Sequence, residues 1–312
     1  MRLATIKIDA AERLVACVDD EKLIDLSLAA KNMDRSPDFF IDMHSMIRGG
    51  DAALSLAYEL ISSPKNNCLI NVNEVLFCPP LIPTQYRDCL VFEEHLKNGF
   101  AEAEKITGRR HEIPDVWYQQ PIYYKGNRLS FIGNNQDVLW PNYAEYLDIE
   151  LELAIIISKD GKNISKAEAP NYIFGYSILN DVSARDAQMI EMAGQLGPAK
   201  GKDFDTGNIL GPYILTADEV SHPASLNMEA RVNGQRWGGG NSSKMHHNFA
   251  DIIAFISKSE TLYSGEVIGS GTVGTGCGLE IGKRLEPNDQ FELEIENIGI
   301  LKNKIIKELI DE

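Results

Sequence analysis

The segment Asp148-Ile149-Glu150-Leu151-Glu152-Leu153-Ala154-Ile155-Ile156 constrains the fold more than any other. Bulky apolar residues alternate with two glutamates and then merge into an unbroken apolar run, which predicts a mostly buried strand over residues 149–157. A period of two sends Glu150 and Glu152 to the same face. Two readings stand on this pattern alone. The pair lies on the solvated face of a surface strand, or it points inward, where adjacent carboxylates repel unless a cation joins them.

With 312 residues the chain can form one large domain, or a large one with a small one. Its formal net charge of −16 argues against nucleic acid as the main partner, because phosphate contacts need clustered Lys and Arg. The first residues lack the apolar run of a signal peptide, and no stretch approaches the length of a membrane span. Five scattered cysteines without a CxxC pair are the pattern of free thiols in a reducing compartment. The expectation is a cytoplasmic protein.

Strands are expected over residues 3–8 and 13–18. Helical spacing follows at Phe40, Ile41, Met43 and Ile47, then at Ala53, Leu54, Ala57, Leu60 and Ile61, broken by Gly49-Gly50. Pro79, Pro80 and Pro83 mark an extended linker, which places a small α/β domain at 1–77 before a larger unit at 78–312. In that unit Phe92, Leu96, Phe100 and Ala103 form one face of a helix. A strand is expected at 172–179, with Ser183 capping a helix that runs through Gln195. Asn233-Gly234 signals a hairpin, Phe249, Ile252, Ile253 and Ile256 a helix, and Phe291, Leu293 and Ile295 a strand. Many short strands with few helices predict an α+β, mainly β, closed-sheet core, not a doubly wound sheet.

Two further blocks carry candidate chemistry. Asp181 stands where a β pattern passes into a helical one, either aimed into a site at the strand end or as a simple helix cap. Arg185 could hold Asp181 or Asp186 in place. In Arg87-Asp88-Cys89-Leu90-Val91-Phe92-Glu93-Glu94-His95, a helix would set Asp88 and His95 on one face, about 10 Å apart along the axis. The Gly269-Ser270-Gly271-Thr272-Val273-Gly274 run matches a dinucleotide fingerprint in letter only, since no helix pattern follows it. Close approach of the backbone to a ligand or another strand is the better reading. The remaining histidines lack zinc-ligand spacing, and neither a nucleophile elbow nor a phosphate loop is present.

Taken in order, five blocks resemble the fumarylacetoacetate hydrolase family over roughly residues 79–306: those at 87–95, 148–154, 180–188, 197–208 and 269–280. The resemblance implies a catalytic domain of β-rolls with packed helices, usually a homodimer, binding Mg2+ (or Ca2+ or Mn2+). It puts the metal ligands on Asp88, Glu150, Glu152 and Asp181, the general base on His95, and its orienting carboxylate on Glu280. Lys202, Gln188, Thr272 and Tyr124 match residues that contact substrate or stabilise developing charge, and Thr206 lies in a segment that orders the site. One departure concerns the helix after the His. Where the fumarylacetoacetate enzymes carry an Arg for the distal carboxylate, this chain offers Glu102 and Glu104, with Lys97 the nearest cation.

The implied function is metal-dependent hydrolysis of a carbon–carbon bond in a β-diketo acid, with a small keto acid as partner and neither nucleic acid nor membrane. His95 and Glu280 would activate water, while metal and Lys202 stabilise the enolate. The same site could serve tautomerisation, decarboxylation of an oxaloacetate-type acid, or dehydration of a 2-keto-3-deoxy sugar acid. A non-catalytic protein keeping the fold would be expected to have lost a ligand carboxylate, and all four are present.

Overall fold

The computed structural model describes residues 1–108 and 110–307. Among these, a twelve-stranded sheet runs in the order Leu69–Asn71, Lys22–Asp25, Ala11–Cys17, Arg2–Ile8, Asn208–Thr216, Ile173–Asp181, Leu151–Ile157, Val267–Gly269, Tyr86–Cys89 and Tyr123–Lys125. Leu76–Phe77 and Phe131–Ile132 pair with it off this path. A five-stranded sheet is built from Gln235–Asn241, Asn227–Val232, Gln290–Ile295, Gly299–Lys307 and Asp137–Trp140. Helices α1 (Leu26–Asn32), α2 (Met43–Ser62), α3 (Glu93–Thr107), α4 (Asp115–Gln119), α5 (Arg185–Met192) and α6 (Phe249–Ile256) pack around them. The chain is thus α+β and mainly β. The Asn233-Gly234 hairpin, α6 and the Gln290–Ile295 strand form where their sequence signals stand.

Strand parity builds two cores. Leu151, Leu153, Ile155 and Ile157 face a cluster shared with the five-stranded sheet and α6, including Phe291, Leu293, Ile252 and Ile253. Ala154 and Ile156 face the opposite way, toward Leu26, Met46, Ile47, Ala53 and Leu60 of α1 and α2. Each of the fully buried Leu, Ile, Met and Phe side chains among these contributes about 1.5–3 kcal/mol by leaving water. Gly50 (φ 53°, ψ −138°) interrupts α2 where the Gly49-Gly50 pair predicts a break.

The linker after residue 77 does not divide the sheet. Arg2–Ile8 pairs with Asn208–Thr216, and the second core draws on residues from both sides of the prolines. Cys78 N and Thr5 Oγ1 further tie the linker to the first strand, donating to Thr5 O (3.0 Å) and Pro80 O (2.7 Å). None of the described helices is long and apolar enough to cross a membrane.

The segment after Asp181 differs from expectation. Ser183 does not cap a helix; Ser183–Ala184 pairs with Leu147–Asp148, and its hydroxyl donates to Asp181 O at 3.2 Å. α5 therefore begins at Arg185 and stops at Met192, short of Gln195, whose φ of 60° lies outside any helix.

Candidate metal centre and acid–base pair

The parity that sorts the core also gathers three carboxylates. Glu152 shares its strand face with Ala154 and Ile156, Asp181 with Leu179, and Asp88 with Tyr86, all residues of the second core. All three acids are buried; Asp181 and Glu152 stand on adjacent strands, and Val267–Gly269 separates the Glu152 strand from that of Asp88. Asp88, Glu152 and Asp181 each bring an oxygen within 4.8 Å of the others. The approach depends on Gly269, which lies in the ladder between Ala154 and Asp88. A Cβ there would sit 2.3 Å from Asp88 Oδ1 and 2.7 Å from Glu152 Oε2. Two residues on, the Gly271 N–H donates to both, at 3.2 and 3.1 Å. The glycine run is thus a place of close backbone approach.

Glu150 stands beside this group, held by cations. Its oxygens lie 2.6 Å from Lys202 Nζ and 2.6 Å from Arg185 Nη1. Lys202 also reaches Asp181 Oδ2 at 2.6 Å, and Tyr124 donates its hydroxyl to the same oxygen at 2.7 Å. Arg185 does not hold Asp181 or Asp186. It grips Asp148 Oδ2 through Nε and Nη2 at 3.0 and 2.8 Å, because the Ser183–Ala184 strand turns it toward the strand carrying Asp148. Asp148 in turn accepts from Gly278 N and Leu279 N, which anchors the loop after the glycine run.

The electrostatics divide accordingly. Burial and the neighbouring Asp181 push Asp88 well above the usual carboxylate range, and burial with Asp88 does the same to Glu152. Burial also raises Asp181. Burial acts on Glu150 in the same direction, yet Lys202 and Arg185 outweigh it and hold Glu150 below the ordinary value. Among the described residues, Glu152 Oε1 and Asp181 Oδ1 are buried side-chain oxygens without a hydrogen-bond partner. Orphaned carboxylate oxygens among mutually repelling acids fit a divalent cation, and an all-oxygen donor set suits Mg2+, Ca2+ or Mn2+.

His95 and Asp88 do not share a helix. Asp88 belongs to the strand Tyr86–Cys89, which pairs in parallel with Val267–Gly269, and His95 lies in the first turn of α3. Glu280, on a short helical turn after the glycine run, accepts from His95 Nδ1 at 2.7 Å. Its other oxygen accepts from Asn98 Nδ2 at 3.0 Å and Thr275 N at 2.7 Å. This pair adjoins the carboxylates: Cys277 bridges Glu150 through the backbone, and its thiol lies 3.4 Å from Glu280 Oε1.

Thr272 is buried directly after Gly271. Gln188, on α5, accepts from Arg185 Nη1 at 3.1 Å, one step from the acids. Thr206 accepts from Leu139 N at 2.8 Å and so ties the segment behind Lys202 to the five-stranded sheet. Sequence reasoning missed Asp148, Asn98, Cys277 and Tyr86. The last is fully buried, its hydroxyl unpartnered among the described residues, with its ring edge-on to Tyr124. Parity with Asp88 was the available signal for Tyr86; the others depend on remote packing.

The family model described as fumarylacetoacetate (FAA) hydrolase C-terminal matches residues 86–306. The chain is 31% identical over 265 residues to the human protein oxaloacetate tautomerase FAHD2A, mitochondrial, covering 85% of this chain and 79% of that one. It is 29% identical over 298 residues to oxaloacetate tautomerase YisK of Bacillus subtilis, covering 92% and 94%. The fold superposes on the fumarylacetoacetate hydrolase of Exiguobacterium antarcticum with a TM-score of 0.76 at 23% identity, covering 99% and 100% of the two chains. The chain belongs to the fumarylacetoacetate hydrolase family.

Proposed function

We propose that this chain is a divalent-metal-dependent enzyme that moves a proton between the keto and enol forms of a small β-dicarbonyl acid, with oxaloacetate the first substrate to test. The observation that carries this reading is the His95–Glu280 pair, held at 2.7 Å beside a buried three-carboxylate cluster. Two relatives named oxaloacetate tautomerases, each matching more than four-fifths of this chain, support the choice of substrate class.

Asp88, Glu152 and Asp181 would hold the cation, with Glu150 beside them; when bound, the cation polarises substrate oxygens as a Lewis acid. Nδ1 of His95 donates to Glu280, which leaves Nε2 as the atom that takes and returns the proton. Glu280 is fixed by Asn98 and Thr275, so it orients the imidazole without itself needing to move. Lys202, buried among the acids, supplies positive charge where the enolate oxygen develops. A short diacid suits the helix that follows: Lys97 is 61% exposed and paired with Glu93, so it offers no inward cation for a distal carboxylate.

The same pair supports a second reading, hydrolysis of an acylpyruvate, in which His95 would take the proton from water. Ultraviolet loss of the enol of oxaloacetate and product analysis on acetylpyruvate separate the two. Accelerated ketonisation without cleavage of acetylpyruvate supports the tautomerase; release of acetate and pyruvate supports the hydrolase. Inertness toward both would overturn the shared site assignment.

A further inference from the structure

We propose that His95, Cys277 and Glu280 form a second metal site, selective for Zn2+, whose occupation withdraws His95 from proton transfer. The three side chains bring an imidazole nitrogen, a sulfur and a carboxylate oxygen within 4.8 Å of one another. Glu280 Oε1 is the common neighbour, 2.7 Å from His95 Nδ1 and 3.4 Å from Cys277 Sγ. A mixed nitrogen, sulfur and oxygen set is the donor chemistry of zinc, whereas the nearby Asp88, Glu152 and Asp181 offer oxygen alone. The two clusters therefore sort metals by softness.

The donors are already positioned. Asn98 and Thr275 hold Glu280 by its far oxygen, leaving Oε1 free to face the other two groups. Cys277 is fixed by its backbone bridge to Glu150. His95 is the most exposed of the three, its side chain being 12% exposed against 0% for that of Glu280, and the fourth ligand would be a water entering from that side. Zn–N near 2.0 Å and Zn–S near 2.3 Å require the His95–Glu280 contact to open from 2.7 Å to about 3.3 Å. A small swing of His95 on α3 provides this.

Charge and protons balance. Zinc expels the thiol proton to solvent and shifts the imidazole proton from Nδ1 to Nε2, so a thiolate, a carboxylate and Zn2+ sum to a neutral buried centre. Without the metal, a thiolate beside Glu280 would be an uncompensated buried anion, so Cys277 remains a thiol donor. With it, Nε2 carries the proton and cannot accept another. The inhibitory consequence rests on the proton-transfer role proposed for His95, but the metal site does not.

The test uses the full chain with excess Mg2+ present, so that the oxygen site is filled, and Co2+ as a spectroscopic stand-in for Zn2+. One equivalent of Co2+ should give a thiolate-to-cobalt charge-transfer band in the near ultraviolet that Zn2+ abolishes. Cys277→Ala should lack the band, and its turnover should require about tenfold more Zn2+ for half-inhibition. Glu280→Gln, which keeps the thiol, should retain a band of weaker Co2+ affinity. Absence of the band in the wild type, or its persistence in Cys277→Ala, overturns the site. A band accompanied by Zn2+-insensitive turnover overturns the inhibition. Because the absorbance needs no substrate, failure of the tautomerase reading would be seen separately, as inertness with the band intact.

Discussion

Lys202 Nζ stands 2.6 Å from Asp181 Oδ2, a contact that occupies one oxygen of that carboxylate and leaves Oδ1 buried without a partner. The same ammonium reaches Glu150 at 2.6 Å, so a single lysine bridges two acids that would otherwise repel. Burial works to lower its pKa, but Asp181 and Glu150 outweigh that and hold it above the ordinary lysine value. One lysine and Arg185 do not neutralise Asp88, Asp148, Glu150, Glu152 and Asp181 together, which leaves charge for a divalent cation to balance.

Removing that bridge should be costly. Lys202→Met leaves Glu150 and Asp181 buried with less compensation, and the chelated protein is expected to lose about 3–5 kcal/mol in urea denaturation. Stability equal to that of the wild type would show that Lys202 does not bridge the two acids in solution.

The carboxylates set a pH dependence. Burial, reinforced by their neighbours, raises Asp88 and Glu152 in the fold above their unfolded values. Their contribution to stability is complete below the unfolded carboxylate range, at pH about 4, and is lost as pH rises through the folded values. The metal-free protein is therefore weakened by these groups toward neutral pH, where a cation relieves them most. The gain in Tm on adding Mg2+ should be larger at pH about 8 than at about 5.5. A gain that shrinks with rising pH runs against the assignment.

Gly269 offers a steric test. The added methyl of Gly269→Ala would meet Asp88 Oδ1 at 2.3 Å, Leu179 Cδ2 at 2.6 Å and Glu152 Oε2 at 2.7 Å. The two carboxylates can make room only by moving away from the methyl and so from their present positions. The expected result is a loss of about 1–3 kcal/mol and a weaker Mg2+ affinity by calorimetry. Unchanged affinity would mean the cation is held elsewhere.

Much of this was legible in the chain. Alternation around Glu150 and Glu152 put both on one face but left a solvated face and inward carboxylates both open; the following apolar run pointed to a mostly buried strand, and the fold buries both acids. Asp88 was misread because strand and helix patterns look alike over a few residues. What makes Tyr86–Cys89 a strand is its parallel pairing with Val267–Gly269, far along the chain. Arg185 was linked to the wrong acids for the same reason. Asp148 becomes its partner only after Leu147–Asp148 pairs with Ser183–Ala184. Cys277 and Asn98 meet Glu280 only once α3 packs on the loop after the glycine run.

Glu280 separates proton transfer from metal binding. Glu280→Gln keeps the shape but removes the charged acceptor that orients His95. Turnover should fall by about 10²–10⁴ while Mg2+ affinity by calorimetry stays the same. Equal losses in both would place Glu280 in the metal centre instead.

The central claim is a metal centre of Asp88, Glu152 and Asp181 serving proton transfer at His95. Its most direct test follows the enol of oxaloacetate in the ultraviolet, with protein stripped by chelator and then restored with Mg2+. The expected result is enol loss that collapses on chelation, returns on restoring Mg2+, and stays low in both Asp181→Asn and His95→Asn. Mg2+-independent acceleration, or full activity in either variant, would contradict it.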